Sequence, residues 1–197
     1  MKKYKFTGET KTIYLPFGTV TLHRIKAVVE FGLVKVGDLG GWIEKEENLS
    51  HEENAWVYGD AEVCGNAKVY GNAKVCGNAK VYGDAEVYGD AKVYGDAEVR
   101  GNAKVYGNAE VYDNAKVFSA DHVLVMGAIG SRNDFATFFR NKDNEITVKC
   151  GCFLGKIDKF LEKVTQTHKD TKHALVYRAA VEVAKLQIDL TEKSTRR

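Results

Sequence analysis

One apolar residue recurs every six positions through the middle of this 197-residue chain: Val at 57, 63, 69, 75, 81, 87, 93, 99, 105, 111 and 117. Ala keeps the same period at 55, 61, 67, 73, 79, 85, 91, 97, 103, 109 and 115. The unit reads Ala, Lys or Glu, Val, usually Tyr, Gly, then Asn or Asp. Ala and Val lie two apart, so an extended segment turns both to one face and the charged residue and Tyr to the other. Gly followed by Asn or Asp suits the left-handed backbone of a tight corner. Each hexad is therefore a short strand and a corner. So short a strand, apolar on one face, is stable only when stacked on copies of itself.

The number of sides per coil follows from which residues come to lie above one another. At a lag of 18 the corner positions pair as Asp60–Asn78, Asn66–Asp84, Asn72–Asp90, Asn78–Asp96, Asp84–Asn102, Asp90–Asn108 and Asp96–Asn114, mixed in every case. At a lag of 6, Asp84, Asp90 and Asp96 stack as like charges, and at a lag of 12 Asp84 meets Asp96. The Lys/Glu position agrees: Glu62–Lys80, Lys68–Glu86, Lys80–Glu98, Glu86–Lys104, Lys92–Glu110 and Glu98–Lys116 are opposite, and Lys74–Lys92 is the exception. Rungs stack about 4.8 Å apart, where opposite charges help and like charges repel. Three hexads per coil satisfy both columns, and the repeat predicts a mainly β fold, a parallel β-helix of between three and four coils over residues 54–120.

Open rungs at either end must be covered. Residues 1–53 read as an N-terminal β cap and a first imperfect coil. Tyr4–Thr7 and Val20–Val29 are expected strands, and Gly37, Gly40 and Gly41 punctuate the entry. Ile43 and Leu49 fall at the Ala phase, and His51 at the Val phase, pointing inward. Residues 121–190 read as a small α+β domain. It has a strand from His122 to Met126 and a hairpin from Phe135–Arg140 to Glu145–Phe153 around Asn141-Lys142-Asp143-Asn144. A helix carries Ile157, Phe160, Leu161 and Val164, and a second, capped by Asp170, runs from about Thr171 to Ile188. The polar tail 191–197 is expected to be loose.

Charge is nearly balanced, 29 basic against 27 acidic residues. It gives no global push toward nucleic acid or membrane. No apolar run approaches the roughly 20 residues of a membrane span. The N-terminus lacks the apolar core of a signal peptide, and the expected location is the cytoplasm. The four cysteines, Cys64, Cys76, Cys150 and Cys152, fit free thiols there.

The hexad resembles the left-handed β-helix hexapeptide family, in which an aliphatic residue is followed four positions later by a small one, as Val57 is by Ala61. Its glycine departs, falling two residues after Val instead of one. The resemblance implies a left-handed coil and a homotrimer. The stretches Thr21-Leu22-His23-Arg24-Ile25 and Val36-Gly37-Asp38-Leu39-Gly40-Gly41-Trp42-Ile43-Glu44, running into Asn48-Leu49-Ser50-His51, resemble little-characterised hexapeptide proteins of bacteria and their phages that carry transferase labels. Val125–Asn133 with Cys150-Gly151-Cys152-Phe153 resembles a recurrent tail of phage and Firmicute proteins.

Hexapeptide acyltransferases use a histidine general base and a loop that leaves the prism to build a pocket between subunits. Here no histidine lies between His51 and His122, and the hexads run unbroken. His23, His51 and His122 in the caps are the remaining candidate bases; as structural or surface histidines they need no catalytic role. The turn Gly127-Ala128-Ile129-Gly130-Ser131-Arg132-Asn133 follows a strand, and Ser131, Arg132 and Asn133, with Phe135 and Arg140, form a candidate anion site. The bland alternative is a simple turn. Lys74 and Lys92 beside Tyr94 are a secondary candidate. Cys150 and Cys152, alternating onto one face of a strand, join His168 and His173 as possible ligands, but the spacing matches no usual zinc pattern, and no metal or cofactor is expected. Outward tyrosines form two columns, Tyr70, Tyr88 and Tyr106 on one side and Trp56, Tyr58, Tyr94 and Tyr112 on another, the favoured interface for self-association. Stacked aromatics also stabilise β ladders without any partner.

Three functional classes follow. The leading one is a non-catalytic oligomeric binding protein, phage-borne in one version, that captures a host defence component or a small nucleotide-like anion. The alternatives are an acyltransferase-like enzyme and a purely structural scaffold.

Overall fold

The computed structural model describes residues 1–16 and 18–191, so the predicted loose tail lies, apart from Thr191, outside the described residues. The chain opens with a hairpin, β1 (Tyr4–Leu15) and β2 (Gly18–Ala27); β1 runs well past the expected Tyr4–Thr7, β2 starts and ends two residues before the expected Val20–Val29, and β3 (Leu39–Ile43) pairs with β2. Eleven two-residue strands follow, β4 to β14 in order: Trp56–Val57, Glu62–Val63, Lys68–Val69, Lys74–Val75, Lys80–Val81, Glu86–Val87, Lys92–Val93, Glu98–Val99, Lys104–Val105, Glu110–Val111 and Lys116–Val117. They stack in parallel on three faces: β3-β5-β8-β11-β14, β4-β7-β10-β13, and β6-β9-β12. From β4 to β14 the strands on a face are 18 residues apart, as in Lys92 beside Glu110 and Val93 beside Val111. The result is a parallel solenoid of about four turns, and hexad, lag and faces fit the left-handed β-helix that the repeat resembles.

The side chains explain the lag. The Val and Ala positions line a sealed axial core. Outside, Asn66, Asn72 and Asn78 each donate Nδ2–H to the Asp one coil on (84, 90 and 96) at 3.0 Å. Lys92 meets Glu110 at 2.8 Å and Lys116 meets Glu98 at 2.6 Å. The corner glycines pack backbone on backbone: Gly71 has φ +71°, and a Cβ on it would lie 2.9 Å from Gly89 N.

The lower end corrects the predicted phase. Ile43 pairs with Val63 and Leu49 with Val69, a lag of 20. Both therefore occupy the Val column, not the Ala column. Two extra residues sit in the turn after Leu49, and the 18-residue lag is restored by Trp56, which pairs with Lys74. His51 falls in that turn. It does not point into the coil but stacks on Tyr4, with ring centroids 4.2 Å apart. Buried groups close the rung: Lys3 Nζ donates to Ala55 O at 2.8 Å, Tyr4 OH to Leu49 O at 2.9 Å, and Asn48 Nδ2 to Ala67 O at 2.9 Å.

Trp56 is a second correction. It points out of the prism, as alternation requires, but is 1% exposed because the N-terminal segment covers it with Phe31 and Tyr4. Tyr82 is likewise sealed under Leu22 of the hairpin.

Beyond the prism, β15 (Val123–Ile129), β16 (Asp134–Arg140), β17 (Ile146–Cys150) and β18 (Phe153–Lys156) form an antiparallel meander, followed by α1 (Ile157–His168) and α2 (Lys172–Gln187). β16 is buried on both faces. Phe138 packs with the helices, while Phe139 joins the core of the coil. The meander thus lids the last rung, helped by Thr137 Oγ1, which accepts the backbone N–H of Glu110 at 3.0 Å. Thr171, not Asp170, is the N-cap of α2; Asp170 faces Arg178 instead. Among the described residues no helix is long and apolar enough to cross a membrane.

Candidate functional site

The turn joining β15 to β16 is built to present side chains. Gly130 takes φ +71° and is pressed by the Tyr177 ring, where a Cβ would collide. Asn133 takes φ +50° and donates its N–H to Gly130 O at 3.4 Å. Ser131 and Arg132, exposed between them, project toward the end of α1. Ile157, Phe160 and Val164 of α1 go into the core. That burial leaves Lys163, Thr167 and His168 facing the turn.

These pieces enclose a pocket of about 200 Å³. Ser131 Oγ lies 3.4 Å from His168 Nε2. The Tyr177 hydroxyl, reaching up from α2, meets Ser131 and Cys150. Burial first, then the neighbouring Cys150, pushes that phenol up, so it stays a neutral donor. Arg132 Nη1 points at Cys152 Sγ, 3.8 Å away. Lys163 adds a second cation and Asp134 one carboxylate. The wall thus offers charge-assisted donors, hydroxyls and the ring of Phe153, a set suited to a small oxyanion.

The structure therefore brings together residues from two separate predicted groups. Ser131 and Arg132 of the anion candidate stand with Cys150, Cys152 and His168 of the thiol–imidazole candidate. Arg140 does not join them. It is buried at the far end of β16, donating Nε–H to Asn144 Oδ1 at 2.9 Å. Phe135 faces a different cleft. Cys150 and Cys152 do not alternate along one strand, because Gly151 and Cys152 form the turn between β17 and β18. Among the described residues no group of three or more His, Cys, Asp or Glu is placed to hold a metal. Lys163 and Tyr177 were missed by sequence reasoning. Neither stands in a motif: Lys163 is one of the lysines on α1, and Tyr177 lies in an Ala-rich helix.

The secondary cationic candidate is charge-compensated. Lys92 lines a cleft of about 450 Å³ between prism and meander, with Glu110, Asp134, Phe135 and Lys149. Glu110 takes Lys92 Nζ at 2.8 Å and Lys149 Nζ at 2.9 Å. Burial pushes the Glu110 carboxyl up, but bonds from the two lysines outweigh this and hold it below its ordinary value. Lys74 lies beside Lys92 as the lag predicts, with Asp90 close to both. Tyr94 stacks on Tyr112 at 4.9 Å, and Tyr112 lies under Lys149. The face carrying Trp56, Tyr58, Tyr94 and Tyr112 is thus covered at both ends. The column Tyr70–Tyr88–Tyr106 stacks at 4.9 and 5.6 Å, and Tyr106 is 50% exposed.

The histidines divide by burial. His23 lies against Phe6, and His122 is buried, its Nδ1 accepting the Phe118 N–H at 3.0 Å. Of the five in the chain, His168 is the one lining the pocket.

No family model matches the chain. It is 36% identical over 77 residues to a curated protein named Uncharacterized acetyltransferase YdcK, from Escherichia coli (strain K12). That segment is 34% of this chain and 24% of the relative's length. The hexad, the three-sided coil it builds and this partial match fit a hexapeptide-repeat family whose members carry transferase labels.

Proposed function

We propose that this chain is a non-catalytic binding protein whose meander-and-helix domain takes a small anionic ligand, with the β-helix as its mount. The observation that carries the reading is the pocket where Ser131 and Arg132 meet Lys163, His168 and Tyr177. Its size, below the roughly 300–1,000 Å³ of pockets for drug-sized ligands, suits one compact group such as a phosphate and its sugar. The prism argues for a mount: its outer charges alternate, and its hexads run without a loop or a histidine from 52 to 121. The finer version, capture of a host signalling nucleotide or defence component by a phage-borne protein, rests on the resemblance of the N-terminal and tail segments. Self-association is part of the proposal, with the open Tyr70–Tyr88–Tyr106 face as the contact and a trimer as the expected state.

The match to a protein named as an acetyltransferase favours a second reading, acetyl transfer. On this chain the base for it is His168, beside the Ser131 hydroxyl. Native mass spectrometry of protein purified from cells tests the first reading. A retained anionic small molecule, released by Arg132→Ala, supports it. Turnover of acetyl-CoA that is lost in His168→Ala supports the second instead.

A further inference from the structure

We propose that Cys150-Gly151-Cys152 is a redox-active dithiol, closing to a disulfide on the wall of the pocket and thereby regulating what Arg132 can hold. The regulatory half rests on the anion-pocket reading; the disulfide does not. All four cysteines are free, and Cys150 and Cys152 line the same pocket. Cys150 pairs with Phe153 across the hairpin, so Gly151 and Cys152 are its two-residue turn. An extended chain sets Cα atoms two positions apart at roughly 6.6–7.2 Å. The bend at Gly151, with φ +55°, shortens that toward the roughly 4.4–6.8 Å of disulfides.

The two thiols are unequal. Cys152 is exposed, with the Arg132 guanidinium 3.8 Å from its sulfur, so it is the thiol that an oxidant in solvent reaches first. Cys150 is half-buried against Tyr177, and burial pushes its thiol up. The order of events follows, with a low-molecular-weight disulfide such as oxidised glutathione as the oxidant. The Cys152 thiolate attacks one sulfur of the oxidant, forming a mixed disulfide and expelling one thiolate. Cys150, losing its proton to solvent, attacks Cys152 Sγ and expels the second. Two protein thiols are oxidised, one external disulfide is reduced to two thiols, and the balance closes. The closed ring draws Cys152 Sγ away from Arg132 and leaves the guanidinium free to face the pocket.

The test equilibrates the full chain in graded reduced and oxidised glutathione, quenches with acid, alkylates, and reads intact mass. The expected result is loss of two hydrogens, with two of the four thiols protected. Cys150→Ser should trap a single glutathione adduct on Cys152, Cys152→Ser should abolish both products, and Cys64→Ser should change neither. Calorimetry with inorganic pyrophosphate then compares the reduced and oxidised forms, and tighter binding by several-fold is expected on oxidation. Four alkylatable thiols at every ratio, or closure that survives Cys152→Ser, overturns the dithiol. Closure with equal pyrophosphate affinity in both forms overturns the regulation alone. Closure with no pyrophosphate binding in either form counts against the anion-pocket reading and leaves the dithiol standing.

Discussion

Replacing a corner glycine by alanine tests the 18-residue stacking directly, because the chain supplies its own control. Gly71 and Gly107 occupy the same position of the hexad and both have positive φ, +71° and +59°. An L-residue in the left-handed region costs roughly 1–2 kcal/mol, and that cost is common to both. Only Gly71 has a coil directly above it. Its added Cβ would stand 2.9 Å from Gly89 N and 3.2 Å from Gly89 O, both backbone atoms. They cannot retreat without stretching the bond from Asn72 N–H to Gly89 O, now 2.8 Å. Overpacking of that kind costs roughly 1–3 kcal/mol. At Gly107 the new Cβ meets nothing within 4 Å, since the chain has left the coil above it. Gly107→Ala should therefore destabilise by about 1–2 kcal/mol and Gly71→Ala by about 2–5 kcal/mol. Urea unfolding followed by far-ultraviolet circular dichroism reads the difference as a shift in midpoint at constant slope. Equal losses, or a larger loss at Gly107, would refute the stacking on which the coil rests.

Trp56→Ala should cost about 3–5 kcal/mol, the usual price of emptying a large aromatic site, and leave the oligomeric state unchanged in sedimentation. Tyr106→Arg, on the open column, should instead lower the oligomeric state with little change in unfolding midpoint. Acid should loosen the meander from the prism. Because the Glu110 carboxyl is held below its ordinary value of roughly 4.3, its stabilising share is complete above that value and drains away as pH falls through the lower folded one. Hydrogen exchange of the Glu110 amide against pH reads this, and Glu110→Gln should flatten the profile.

The coil was legible because a repeat states its own rule eleven times, and the alternating Asn/Asp and Lys/Glu columns fixed the lag before any coordinate. The first coil was misphased because two residues inserted after Leu49 shift Ile43 and Leu49 from one inward column to the other, and a period cannot reveal an insertion in a degenerate unit. Trp56 was read correctly in direction and wrongly in exposure. Alternation says which way a side chain leaves a strand, not what the rest of the chain lays over it. The site was half visible. Ser131, Arg132, Cys150, Cys152 and His168 were each singled out, but in two separate groups. Their union depends on the Gly130–Tyr177 contact and on the direction of α1, which are tertiary facts. Arg140 was grouped with Arg132 by nearness in sequence, although β16 carries them to opposite ends.

The proposed function depends on Arg132 holding a small anion in the pocket at the turn between β15 and β16. Isothermal calorimetry of the full chain, with a panel of nucleotides and with inorganic pyrophosphate, tests it most directly. At least one of these should bind, and Arg132→Ala should weaken it by about 1.5–3 kcal/mol, the usual worth of a charged hydrogen bond, while Lys92→Ala changes little. Binding by none of them, or an affinity that survives Arg132→Ala and falls in Lys92→Ala, would contradict it.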